Sequence, residues 1–378
     1  MHDVVICGAG PAGAMTATML ARAGATVLLL DRARFPRDKL CGDTVNPGTV
    51  ALLLRRRLGH VLDGALPVDG MIVTGPSGLR VEGRYDDGVQ GRAITRRDLD
   101  ARLVAAAAAA GAVVDDGVVV ERAVAEPAAG GPRVRGAVGK MPSGRSIALP
   151  ARVVVAADGR HSRIARSLGL SGHPSSPRRW AIGAYFEGVA GLSSCGEMHI
   201  RSDRYIGVAA LPSGVANACV VTTRCAALRN PERLLLDSVR SDPELAGRFA
   251  GARLAAPAVC IGPLAVEARV PGTEGLLIAG DAAGFVDPMT GDGLRFALRG
   301  AELAAEAILD VLAHGWRDAH RRLGEARQRE FAPKLRFNRT LRTVVGSPAT
   351  LRLADRGAWL APAVIRTLIR YAGDHRGA

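Results

Sequence analysis

Val4-Val5-Ile6-Cys7-Gly8-Ala9-Gly10-Pro11-Ala12-Gly13 is the stretch on which the fold turns. Four strand-forming residues run into a G-x-G-x-x-G turn, an alanine-rich helix follows to about Ala23, and Thr26 to Leu30 is a second buried strand. In that setting the glycines have separate physical uses: a tight turn, close approach of backbone to a pyrophosphate, and tight packing of helix on strand. The free N–H groups at the helix start supply the anion site. Gly8, Gly10, Pro11, Ala12 and Gly13 are therefore expected to cradle a dinucleotide. Asp31, 18 residues after Gly13 at the end of the second strand and followed by Arg32, is placed to accept from a ribose hydroxyl. The loop alone does not choose between FAD and NAD.

Working outward, the 378 residues are 48% hydrophobic, 23% charged and 4% aromatic, which fits a folded enzyme of one large or two intertwined domains and excludes a disordered or fibrous chain. Cys7, Cys41, Cys195, Cys219, Cys225 and Cys260 form neither a C-x-x-C pair nor a disulfide framework, so reduced thiols and no metal site are expected. The chain enters its first strand without a basic leader, and no apolar run reaches the ~18 residues that span a bilayer. A cytoplasmic protein is expected.

The strand and helix alternation is interrupted twice. Val68 to Tyr85 reads as a hairpin around Gly75-Pro76-Ser77-Gly78, and 174–265 is strand-like until a helix near Glu232. The expected fold is thus α/β: a Rossmann-type domain in three pieces (1–67, 91–173, 266–312), an interleaved antiparallel β-sheet substrate domain (68–90 and 174–265), and a basic helical C-terminal tail (313–378) broken near Pro333, Pro348 and Pro362. The tail carries fourteen Arg or Lys against five Asp or Glu, +9 of the chain's net +14.

Two later segments choose the cofactor. Val153-Val154-Val155-Ala156-Ala157-Asp158-Gly159-Arg160-His161-Ser162 resembles the Asp-Gly fingerprint of the para-hydroxybenzoate hydroxylase superfamily, and Leu277-Ile278-Ala279-Gly280-Asp281-Ala282-Ala283-Gly284 resembles its Gly-Asp fingerprint. Lys39-Leu40-Cys41-Gly42 and Asp287-Pro288-Met289-Thr290-Gly291-Asp292-Gly293 look most like its geranylgeranyl reductase-related branch. The resemblance implies FAD. It places Gly280 and Asp281 on the ribityl chain, Arg96 of the R-x-x-L-D helix start on the pyrophosphate or ribityl region, and Asp158 as a tie for the loop near the nucleotide. Cys41 and Gly42 fall beside the isoalloxazine or the substrate. The loop ending in Gly291, Asp292 and Gly293 precedes a helix from about Leu294, whose positive end would face the flavin's pyrimidine edge, where a reduced flavin is anionic. Gly291 and Gly293 leave room for the ring, and Asp292 is expected to cap the helix.

Flavin carries the redox chemistry and the protein selects what reaches it. Reduction or dehydrogenation of a carbon–carbon bond in a lipophilic, isoprenoid- or polyketide-like substrate is preferred. A monooxygenase using NAD(P)H and oxygen is the alternative. The tryptophan motif of flavin halogenases is missing, Trp180 standing alone. Glu197, His199 and Tyr205 are candidate proton donors or acceptors in the substrate domain. No second dinucleotide motif is visible, so NAD(P)H binds transiently or a reductase or ferredoxin supplies electrons. A flavin-free NAD-binding regulatory module would share the glycine loop but has no use for the Gly280-Asp281 motif. Nucleic acid is disfavoured because few aromatic residues are interleaved with the basic ones. In the tail, Val364, Ile365, Leu368 and Ile369 share one helical face flanked by Arg366 and Arg370, a spacing that serves a helix on an anionic membrane or one docked on its own core. Oligomeric state is not readable.

Overall fold

Val4, Val5, Ile6 and Cys7 are all fully buried, because the strand they form, His2–Cys7, is central in a sheet covered on both faces. The order across this sheet is Gly272–Thr273, Leu276–Ile278, Ser146–Ala156, His2–Cys7, Val27–Asp31, Val113–Asp116, parallel from Leu276–Ile278 to the far edge. The computed structural model describes residues 2–86, 88–129, 131–176, 178–223 and 228–373; Cys225 lies outside these, as do the last residues of the tail.

Val4 and Ile6 belong to one buried cluster with residues of α1 (Pro11–Arg22), α2 (Pro47–Arg55) and α3 (Arg96–Ala109). Val5 and Cys7 face the other way, onto the antiparallel ribbon Val119–Glu126 with Arg133–Lys140 and onto α4 (Arg163–Ser167). The glycine loop joins strand to helix at the distance the packing demands. A Cβ at Gly13 would lie 1.8 Å from Gly8 O, so this residue is glycine for the sake of helix against strand.

The second sheet takes strands from two parts of the chain, in the order Arg253–Leu254, Trp180–Glu187, Val215–Thr222, Arg204–Ala210, Cys195–Ile200, Gly70–Thr74, Arg80–Arg84. It is antiparallel except where Cys195–Ile200 runs parallel to Gly70–Thr74, the seam at which the early hairpin joins. The antiparallel pairing expected of this sheet thus holds at its other strand pairs. One face, carrying Ile182, Phe186, Ile206, Val208 and Val220, is closed by Leu235 and Val239 of α5 (Pro231–Arg240) and by Phe249. The opposite face looks toward the first domain.

The chain then returns through Leu276–Ile278 to α6 (Gly293–His314), which joins the first cluster. The tail follows as α7 (Ala319–Gly346), α8 (Pro348–Leu360) and α9 (Pro362–Ala372). Breaks fall before Pro348 and Pro362, where a proline at the first helical position needs no N–H donor. The break expected at Pro333 does not occur. Loss of one backbone donor there is outweighed by packing on α6, including Phe331 edge-on to Phe296 at 5.1 Å. The apolar stripe of α9 docks inward: Ile369, 5% exposed, rests on Gly83, where a Cβ would come within 2.7 Å of Ile369 Cδ1. No helix among the described residues is long and apolar enough to cross a membrane.

Candidate active site

The glycine loop, the Lys39 to Gly42 loop, the Asp158 turn, the Gly280–Asp281 turn and the start of α6 converge on one cavity of ≈ 370 Å³ between the two sheets. At one end it is bordered by Gly10, Pro11, Ala12, Gly280 and Asp281. The free N–H groups of the first turn of α1 open there. A Cβ built on Gly10 meets nothing nearer than an Arg37 side-chain nitrogen at 3.7 Å, whereas one at Gly8 (φ +104°) would strike Ala157 O at 2.4 Å. Gly8 and Gly13 are glycine for the protein's own packing; the space at Gly10 is left for something else. Asp31 braces the loop, accepting from Ala9 N at 2.8 Å and Ala33 N at 2.9 Å, with two of its roughly four lone-pair positions still available, and Arg32 stands exposed beside it. Asp158 accepts from Arg163 N at 2.8 Å, tying the start of α4 to the turn, while its Oδ1 is buried without a protein partner.

Positive charge gathers at this end. Arg96 lines the cavity and is buried, its Nε and Nη2 each 2.8 Å from the Asp100 carboxylate, which Arg37 also meets at 3.1 Å. Burial opposes its charge, but Asp100 and Cys41 hold the guanidinium well above its ordinary value. Lys39, absent from the sequence-derived candidates although inside a quoted motif, also lines the cavity; burial and the neighbouring Arg96 lower its ammonium to about 8. Arg160 is a further lining cation that the fingerprint contained without singling out.

In the middle, Cys41, Gly42, Gly291, Gly293 and Leu294 line the wall. Gly291 adopts φ +68° with open space where a side chain would stand, and Gly293 approaches only Phe285, at 3.5 Å. Thr290 borders the cavity with its Oγ1 buried and without a protein partner. Asp292 does not cap α6 as expected. Its carboxylate turns back into the protein, where Asn46 and Asn338 amides and the Lys334 ammonium approach it. The cap of the preceding turn is Asp287, which accepts from Met289 N at 3.1 Å, from Tyr205 Oη at 2.6 Å and from Arg179 at 3.0 Å.

The far end is apolar: Met198, Ile200 and Val221 from the sheet, Phe337 and Leu341 from α7, and Ile365, Leu368 and Ile369 from α9. Tyr205 shares this face, but its hydroxyl is spent on Asp287 and burial pushes its pKa well up. Glu197 and His199 are corrected. They sit opposite Val208 and Ile206 in the ladder and so share the face closed by α5. Glu197 is gripped by both terminal nitrogens of Arg248 at 2.6 and 2.7 Å and by His199 Nε2 at 2.9 Å; although burial resists, these partners bring it down to about 2. Glu197 borders the cavity, but both of its carboxylate oxygens are engaged in this network, with His199 as one of its partners.

The glycine cradle, the unpartnered Thr290 oxygen and the carboxylate of Asp281, all bordering the cavity, fit FAD. A bound flavin would supply hydride or single-electron transfer; Gly10, Pro11 and Ala12 at the start of α1 are the residues that would hold its phosphates, and the apolar end would be left for another molecule.

A sequence profile described as FAD binding domain matches residues 1–231. Menaquinone reductase of Mycobacterium tuberculosis is 31% identical over 369 residues, 93% of this chain and 87% of that protein. Digeranylgeranylglycerophospholipid reductase 1 of Methanopyrus kandleri is 32% identical over 323 residues, 82% of this chain and 81% of that one. Conditioned medium factor receptor 1 of Dictyostelium discoideum is 28% identical over 343 residues, and the chain spans only 64% of its length. Among solved structures, a flavin-dependent brominase superposes with TM-score 0.82 at 21% identity, covering 98% of this chain and 93% of that one. A geranylgeranyl bacteriochlorophyll reductase-like protein from Thermoplasma acidophilum gives 0.79 at 22%, covering 94% and 90%. Likeness at that identity is one of fold. Profile, relatives and site together place the chain in the FAD-binding domain family, as an FAD-dependent oxidoreductase of the para-hydroxybenzoate hydroxylase superfamily and its geranylgeranyl reductase-like branch.

Proposed function

We propose that this oxidoreductase reduces, or in reverse dehydrogenates, a carbon–carbon bond of an isoprenoid- or polyketide-like substrate held in the apolar chamber. The observation that carries the proposal is the single cavity with a charged, glycine-lined end and an apolar end walled by sheet and tail. A chamber of Met, Ile, Leu and Val side chains favours a substrate that gains by leaving water and offers little to orient a polar one. The reductases among its relatives act on molecules of this kind by their names. NAD(P)H is proposed as a transient donor of electrons, with a ferredoxin or reductase as the other source. Cys41 and Gly42, with Gly291 and Gly293, are assigned to the place where flavin and substrate meet.

The tail also supports a place of work. Leu353, Trp359 and Val364 are 73%, 59% and 55% exposed, and Arg352, Arg356 and Arg366 of α8 and α9 are exposed as well. Apolar and arginine side chains in that mixture suit an anionic bilayer, each arginine adding about 1 kcal/mol near the surface. Flotation with anionic and neutral vesicles tests this: binding to the anionic set alone, lost at high salt, is expected, and equal negligible binding would remove it.

The reaction is tested by reducing the FAD-loaded protein anaerobically with NADPH and adding a prenylated quinone or unsaturated isoprenoid lipid. Flavin reoxidation without oxygen, with a saturated product, is expected. Oxygen consumption that depends on substrate, with a hydroxylated or epoxidised product, would overturn the proposal in favour of a monooxygenase.

A further inference from the structure

Asp292 lies behind the wall formed by Asn46, Gly291, Gly293 and Leu294, with 1% of its surface exposed. Asn46 Nδ2 is 3.3 Å and Lys334 Nζ 3.4 Å from its Oδ1, and Asn338 Nδ2 is 3.4 Å from its Oδ2. Lys334 comes from the middle of α7 and is itself 7% exposed. Its ammonium donates onward to the carbonyls of Tyr371 and Ala372 at the end of α9 and lies 4.7 Å from the centre of the Tyr371 ring. Carbonyls at a helix C-terminus carry partial negative charge, so α9 holds the ammonium in place.

A buried carboxylate beside the start of α6 opposes the positive end of that helix, at the point where the helix acts on the cavity. Its influence extends to a lining residue: burial, then Cys195 and Asp292, raise the Tyr85 phenol to about 12. Lys334 cancels the carboxylate from behind.

We infer that Lys334 is a positioning residue for the redox step: by neutralising Asp292 it keeps the field at this end of the cavity positive and so favours the anionic reduced form of a bound flavin. The inference rests on the flavin reading of the cavity. Loss of one unit of positive charge ~10 Å away, at an effective dielectric of ~20, shifts the equilibrium between oxidised and two-electron-reduced flavin about tenfold, which is about 30 mV.

The experiment measures flavin content and midpoint potential, by equilibration with redox dyes, on the full-length protein loaded with FAD. Lys334→Met is expected to lower the potential by that tenfold factor, Lys334→Arg to restore most of it, and the double variant Asp292→Asn with Lys334→Met to return it to the wild-type value. A flavin-loaded Lys334→Met of unchanged potential, or a double variant as low as the single one, would overturn the inference. Should Lys334→Met not retain flavin, Asp292→Asn alone, which keeps the lysine, is expected to raise the potential by a similar factor, and no rise there overturns it equally. Wild-type protein that takes up no flavin would refute the cofactor reading itself, a failure distinguishable from equal potentials.

Discussion

The two ends of the cavity are made of different materials. The glycine-lined end is built from backbone N–H groups, glycines and a few charges, nearly all within four short runs: 8–13, 39–42, 158–160 and 280–281. The chamber is built from ordinary apolar side chains contributed by two separated parts of the sheet and by α7 and α9. Holding a pyrophosphate demands particular φ values and absent side chains, which concentrates the requirement in sequence. Enclosing a lipophilic molecule demands only volume and apolarity, which any Met, Ile, Leu or Val can meet.

The sharpest way to break this contrast lies inside the glycine loop. Gly10→Val should yield folded protein with almost no bound FAD, since its side chain enters space that no protein atom occupies. Gly13→Val should instead cost the fold, because its Cβ would stand 1.8 Å from Gly8 O. Flavin absorbance and thermal melting separate the two. Normal flavin in Gly10→Val would mean that the open space is not the phosphate site.

At the other end, Leu368→Trp should leave flavin content unchanged while lowering kcat/KM for a lipophilic substrate tenfold or more, by filling the chamber from α9. Ile369→Ala, which removes buried contact with Gly83, should cost about 2–5 kcal/mol in stability. If Leu368→Trp lost flavin to the same extent as substrate turnover, the two ends would not be separable.

The same contrast explains what was legible in the sequence. Strand, glycine turn and helix at Val4 to Ala23 could be read because turn chemistry and periodicity agree there, and the fingerprints at Asp158 and Asp281 added the cofactor. Asp292 was misjudged because a carboxylate beside a helix start usually caps it, and only tertiary structure reveals Lys334, 42 positions away, as its partner. Glu197 and His199 looked catalytic by residue type; which face of the strand they occupy depends on register against Val208 and Ile206. Pro333 looked like a break because local propensity omits the packing of Phe331 on Phe296. The tail's role as a chamber wall had no local signal, since an apolar stripe records that a face is covered and not by what.

Between the ends, Gly291 offers a finer cut. Its φ of +68° means that a β-branched residue would strain the backbone whatever it did to a ligand, so Gly291→Val alone is ambiguous. Asn tolerates this region. Gly291→Asn should therefore keep the fold and FAD while slowing flavin reduction or turnover several-fold, as measured by stopped-flow absorbance. Unchanged rates in a flavin-replete Gly291→Asn would mean that the loop does not border the reacting ring.

A pH-dependent effect concerns the loop that joins the two ends. Asp43, 1% exposed, accepts from Asn217 Nδ2 of the sheet at 2.6 Å and from Arg96 N of α3 at 3.0 Å. Burial raises its carboxyl to about 6 from an ordinary 3.8, against the pull of these donors and of Tyr185. Between those values the folded protein keeps a proton that the unfolded chain has released, so this group's contribution to stability is present below about pH 4 and is lost as pH rises through 6. The loss is on the order of 2–3 kcal/mol by pH 7.5. Asp43→Asn is uncharged at every pH, and its left-handed backbone (φ +52°) suits asparagine. Urea midpoints measured between pH 4.5 and 7.5 should fall less steeply for the variant than for wild type. Parallel slopes would show that the Asn217 and Arg96 donors outweigh burial and that Asp43 is already ionised at pH 5, making the junction between cofactor domain and sheet a charged contact.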